Sequence, residues 1–186
     1  MPPPACSSGN LLHRFRRNRR GSAAVEFALV APLFFGLLFA IIETSMIFFA
    51  GQVLETVTQD SARAIMTGQA QSGAVTGCST PCTQAQFKTY VCSQISALFD
   101  CANGIYIDVR SYSQFASVNL ATPIDASGNF LAANMQYSLG NAGDIVVVRL
   151  FYQWPLFVTG LGFNAANLNN SKRLLTATAA FKNEPF

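Results

Sequence analysis

The 186-residue chain is poor in charge and nearly devoid of imidazole: Asp, Glu, Lys and Arg make up 11% of it, and His13 is its one histidine. Past that position no imidazole is present to act as a base or a metal ligand, which removes the commonest routes to general acid–base and metal-assisted chemistry. Serine and threonine are plentiful but lack an evident activating partner, and the phosphate-cradling pattern G-x-x-x-x-G-K-[ST] does not occur. Asp100 with Asp108, or Asp125 with Asp144, are acid pairs that folding would have to bring together, and spacing alone does not do so. The composition argues against an enzyme and implies no cofactor and no metal.

The small surplus of positive charge is local. Of twelve basic residues, Arg14, Arg16, Arg17, Arg19 and Arg20 precede Gly21, and the remainder of the chain holds seven basic against nine acidic residues. A nucleic-acid interface spreads its cations over a folded face, so this distribution argues against one. An arginine cluster ahead of an apolar segment instead stays on the cytoplasmic side while the segment inserts.

That segment, FALVAPLFFGLLFAIIETSMIFFA, starts at Phe27, and Glu43 is the only charge between Phe27 and Leu54. About 20 mostly apolar residues at 1.5 Å rise each cross a bilayer, so a span at about 23–50 is expected. Apolar residues then recur at helical intervals, with Val53, Leu54, Val57, Ala64 and Ile65, and the pattern halts at Gly68. One continuous helix over 22–67, of order 60 to 70 Å, follows from the two halves. Its upper half carries an apolar stripe that needs a packing partner. Pro32 removes one backbone donor and is expected to loosen the helix near Ala28. Glu26 has two readings: an interfacial carboxylate snorkelling to headgroups, or the partner of a neighbour's new amino terminus inside lipid, if the chain is cut after Gly21. Glu43 is expected to be a boundary residue reaching toward water.

Cys6 lies in the basic leader, while Cys78, Cys82, Cys92 and Cys101 fall together on the side expected to be oxidising. Four cysteines allow three pairings. Cys78–Cys82 with Cys92–Cys101 is favoured because each closes a short local loop; nested pairs and a zinc–thiolate site are the alternatives.

The run RRNRRGSAAVEFALVAP resembles the leader and helix start of type IV pilin-like proteins, specifically the TadE-like pseudopilins of bacterial tight-adherence (Flp-type) pilus systems. The resemblance implies that a prepilin peptidase cuts after Gly21, leaving Ser22 as the new terminus, that Glu26 at mature position five supports processing or assembly, and that Phe27 and Pro32 belong to the same motif. A second stretch, IVVVRLFYQWPLF at 145–157, resembles the late strand and aromatic–proline segment of the same family. Ser22 stands where major type IV pilins carry phenylalanine, which leaves amino-terminal methylation open. An ordinary secretory signal would need a shorter apolar core and a small-x-small site. The function implied is a minor pilin-like subunit of the inner membrane, with its amino terminus cytoplasmic, its carboxy-terminal domain periplasmic or extracellular, and other pilin-like subunits as partners. An uncut membrane-anchored scaffold or binding module is the alternative, and a tethered periplasmic enzyme a third.

After the helix, GQAQSGAVTGCSTPCT (68–83) reads as a loop that needs stapling. Thr83 can cap a helix whose apolar face is Phe87, Val91, Ile95 and Leu98. Residues 105–110 alternate, with Ile105, Ile107 and Val109 inward and Tyr106, Asp108 and Arg110 on a wet face. QFASVNL (114–120) is expected to pair with that strand. Residues 144–154 form the strongest strand, covered on both faces, NAG (141–143) is its turn, and 173–181 is the last strand. Tyr152, Trp154, Pro155 and Phe157 either form a docking patch or fill the groove between sheet and helix, with core packing preferred. Lys172 and Arg173 read as a solvated strand start. The expected fold is α+β and pilin-like: a basic leader at 1–21, the long helix at 22–67, and an antiparallel sheet packed on that helix within an exported domain at 68–186, stapled at 78–101.

Overall fold

The computed structural model describes residues 21–95, 97–101, 103–157 and 164–186. The basic leader up to Arg20, with Cys6 and His13, and the start of the loop expected from Thr159 lie outside the described residues.

Among the described residues three α-helices and three strands follow in the order α1 (Ser22–Met66), α2 (Gln69–Ser72), α3 (Gln84–Ile95), β1 (Ile105–Tyr112), β2 (Ile145–Pro155) and β3 (Lys172–Lys182). The chain divides into two compact units, residues up to Ile41 and residues Ile42–Phe186. In the first unit α1 is helical from Ser22 and continues through Pro32. In the second, α1 ends where Gly68 adopts φ 74°, a left-handed conformation that glycine takes without steric cost. The ring of Phe186 occupies the place a side chain at Gly68 would need. Helix α3 starts with a reciprocal cap: Gln86 N donates to Thr83 Oγ1 at 3.3 Å and Thr83 N donates to Gln86 Oε1 at 3.0 Å.

The sheet is antiparallel in the order β1–β2–β3. β2 is therefore central, and its residues alternate between two covered faces. On one face Val146, Val148, Leu150 and Tyr152 join Ile107 and Val109 of β1 and Leu175 and Ala177 of β3 against Ala50, Leu54, Val57 and Ile65 of α1 and Phe87 and Val91 of α3. On the other, Phe151 packs with Leu168 and Leu174, supported by Tyr106, Ile124, Phe130 and Met135. This is the expected α+β arrangement, with helix packed on sheet.

Two strand-level expectations are corrected. Residues 114–120 do not pair with β1: Phe115–Ser117 is a 3-10 turn in which Ser117 Oγ donates to Gln114 O at 2.7 Å, and Tyr112 Oη donates to Asn119 O at 2.9 Å. Local side-chain bonds of this kind compete with a ladder. β1 is flanked instead by β2 and by residues 136–138, where Val109 N donates to Gln136 O at 2.8 Å and Ser138 N donates to Val109 O at 2.9 Å. The face expected to be wet is also covered, because the long connection between β1 and β2 folds back over it.

Within that connection Asp125 organises a turn, accepting from Ser127 N at 2.9 Å, Asn129 N at 2.7 Å and Asn129 Nδ2 at 2.8 Å. The Asn129 side-chain bond, then the backbone bonds, hold its carboxyl below the ordinary 3.8. A depressed carboxyl pKa gives stability that is complete above the unfolded value and lost as pH falls through the folded one. We expect the Ser127 and Asn129 amide resonances to titrate together below pH 3.8. Titration at or above that value would show that these bonds do not form.

Candidate functional site

The environment of α1 changes along its length. From Val25 to Ile42 its large apolar side chains are exposed on all sides, with Phe27 67%, Leu29 75% and Ile41 65% exposed. From Glu43 onward burial becomes one-sided and helical in period, through Ile47, Ala50, Leu54, Val57, Ser61, Ala64 and Ile65. Helical backbone satisfies its own hydrogen bonds, so an all-round apolar helix is stable in hydrocarbon and costly in water. By length and composition α1 is able to cross a bilayer and is compatible with a single-pass anchor.

Gly21 is exposed immediately before the helix, and the space beside its Cα is open. Glu26 and Phe27 are exposed on the first turns, and Pro32 lies within the exposed apolar stretch. These residues share one helix start; Ser22 opens it.

Glu43 does not reach toward water as expected. It is 7% exposed, and its Oε1 accepts from Phe157 N, 114 positions along the chain. A buried carboxylate needs a donor to offset its lost hydration, and here the donor lies just past the end of β2. The aromatic–proline segment thereby splits. Tyr152 and Trp154 are buried against Phe99, with ring centroids 4.7 and 6.2 Å away, and Tyr152 Oη accepts from Asp100 N at 3.2 Å. Pro155 is exposed and Phe157 is 82% exposed. Core packing thus describes Tyr152 and Trp154 but not Pro155 or Phe157, because the strand ends at Pro155 and the chain leaves the sheet there.

The cysteines pair locally, Cys78–Cys82 and Cys92–Cys101, with Cα separations of 4.7 and 5.7 Å. The second ties α3 to the segment entering β1. A disulfide-bonded sulfur is not the thiolate that zinc requires.

On the covered face an ion cluster joins Asp108 and Arg110, both expected on a wet face, to Arg149, which no expectation singled out. Asp108 is fully buried and sits opposite Arg149 in the ladder. It accepts from Arg149 Nε at 3.0 Å, Arg110 Nε at 3.0 Å and Gln136 N at 2.8 Å. The two arginines carry the link onward, Arg149 Nη1 to Ala121 O at 3.0 Å and Arg110 Nη2 to Asn134 O at 2.7 Å. The cluster therefore fastens the β1–β2 connection to the sheet. An arginine within the apolar run of β2 was the one sequence signal for it, since a cation buried in such a run requires an anion.

The fold is thus α+β with a long apolar helix compatible with a membrane anchor, and its distinguishing surface is the exposed start of α1. Residues 21–63 match the family of TadE-like proteins, so the chain carries a TadE-like segment from Gly21 almost to the end of α1. The match does not reach residues 145–157, which form β2 and its exit. No curated protein and no solved structure gives a significant match. A TadE-like segment supports involvement in a tight-adherence pilus system.

Replacing Arg149 by Met leaves Asp108 buried with a lost partner, and we expect a loss of about 3–5 kcal/mol of unfolding free energy. Denaturant titration followed by the single tryptophan, Trp154, measures it. A loss under about 1 kcal/mol would mean the cluster is solvated.

Proposed function

We propose that the chain is a minor pilin-like (pseudopilin) subunit that takes part in assembling a tight-adherence pilus. The observation that carries this reading is the coincidence of the TadE-like match, which begins at Gly21, with the onset of an all-round exposed apolar helix. In this reading residues 1–21 are a cytoplasmic leader, a prepilin peptidase cuts after Gly21, and the part of α1 exposed all round, up to Ile42, holds the mature chain in the inner membrane. The domain at 68–186 then lies in the periplasm or outside the cell. Arginines ahead of the span and disulfides after it support that orientation.

The mechanism is association rather than catalysis. An apolar helix in lipid gains little from hydrophobicity alone, so lateral contacts between subunits rely on packing and on polar matches. Cleavage would place an amine at Ser22 and a carboxylate at Glu26 near the same helix end, where a neighbour of like design can satisfy both. Phe27 and Pro32 shape the contacting surface. Partners are the prepilin peptidase, other pilin-like subunits with their assembly machinery, and inner-membrane lipid. No nucleic acid and no cofactor enter the scheme.

Mass spectrometry of the protein recovered from native membranes should find a chain that begins at Ser22. Gly21→Trp should leave the full-length chain, and Glu26→Ala should lower co-recovery with pilus subunits while leaving membrane insertion intact. A native chain that retains its leader would favour the uncut anchored scaffold. Normal co-recovery of the Glu26→Ala protein would remove the proposed intramembrane pair even if cleavage holds.

A further inference from the structure

β3 closes the sheet on one side, and its outer edge is open. The register with β2 is continuous over all eleven residues of β3. Leu174 N donates to Asn167 Oδ1 at 2.7 Å, and Lys172 O accepts from Asn167 N and Leu168 N. Even-numbered residues of β3 therefore aim their backbone groups away from β2, by the strict alternation of an antiparallel ladder. Beyond Leu174, among the described residues, no hydrogen bond reaches the outward N–H and C=O groups of Thr176, Thr178 and Ala180. Proteins usually blunt such an edge with proline, a bulge or charges along its middle. Here the middle, LLTATAAF at 174–181, has none of these, and the cations stand at the two ends: Lys172 and Arg173 at one, Lys182 at the other.

The end charges select among occupants. A second copy of β3 pairing antiparallel would set Lys172 and Arg173 against the Lys182 region of its mate, and parallel pairing would set like ends together. Both juxtapose like charges, which opposes self-pairing. A strand with carboxylates at both ends, about ten residues apart, meets a cation at each in either direction. Beside the start of β3 an open groove of about 520 Å³ is lined by Ile47, Phe48 and Gly51 of α1 and by Leu174, Leu175 and Thr176. Alternate side chains of an added strand would face it.

We propose that the outer edge of β3 is an acceptor site for an extended segment of another protein that carries acidic residues at both ends and apolar side chains at alternate positions between them. Binding completes the ladder through the outward groups of Thr176, Thr178 and Ala180, and the terminal cations set the occupant's charge. The proposal does not depend on entry into a pilus.

The test uses the full chain in neutral detergent micelles and two blocked peptides as long as β3, 11 residues, with alternating valine and threonine between terminal glutamates in one and terminal lysines in the other. Hydrogen exchange is the readout. The glutamate-ended peptide should slow exchange at Thr176, Thr178 and Ala180 by about tenfold or more, and the lysine-ended one should not. The charge-reversed variant K172E/R173E/K182E should exchange that preference. Thr178→Pro removes an outward donor without touching the β2 ladder, so it should abolish protection at Thr176 and Ala180 while Ala177 and Ala179, whose amides face β2, keep theirs. Protection by neither peptide, equal protection by both, or a preference unchanged by charge reversal would each overturn the proposal. Protection that rises with protein concentration in the absence of peptide would assign the edge to a second copy and overturn it as well.

Discussion

At Glu43 the side-chain pattern of α1 changes from apolar all round to apolar on one stripe, and the remaining structure depends on that change. The upper part of the helix supplies Leu54, Val57 and Ile65, all buried, to the core face of the sheet. Without that stripe, the core face of β2 would keep only the cover that Phe87 and Val91 of α3 and their neighbours supply. Glu43 marks the transition chemically: from Ala23 onward it is the first buried residue of the helix, and it is anchored by the backbone at Phe157. The same element is thus apolar enough to cross a bilayer over one stretch and is a core element over the next.

The second face of the sheet is held differently. Apolar contacts there are few, and Phe151, Leu168 and Leu174 form a small cluster. Asp108 compensates, because a fully desolvated carboxylate that gathers two guanidinium groups and a backbone donor fixes the covering connection in one arrangement. Arg149 also stacks over Phe151, 5.3 Å from the ring centroid, which joins the polar and apolar parts of that face.

Much of this architecture is legible in the sequence, for identifiable reasons. β2 announces itself because a central strand covered on both faces reads as an unbroken apolar run, and β1 and β3 because their residue types alternate with period two. The local disulfides follow from short loops. Three features escape. Residues 114–120 have strand-like composition, but their hydroxyls and amides bond locally and turn the chain. Asp108 alternates like a solvent-facing residue because alternation reports which face a side chain takes, not what covers it. Glu43 looks like a boundary residue because its partner is a backbone N–H more than a hundred positions away, which no spacing pattern reveals. At the candidate site, Gly21, Ser22, Glu26, Phe27 and Pro32 are read from a motif, and the structure adds that Gly21, Glu26, Phe27 and Pro32 are exposed toward one helix start.

The division of α1 between two surroundings is most directly tested by spin-label scanning of the full chain in lipid nanodiscs, comparing collisions with oxygen and with a water-soluble nickel complex. Labels at successive positions from Val25 to Ile41 should all be open to oxygen and closed to nickel, and from Ile47 to Ile65 contact should fall and rise with the helical repeat. A helical repeat of burial running through residues 25–41, or nickel access there, would contradict the account.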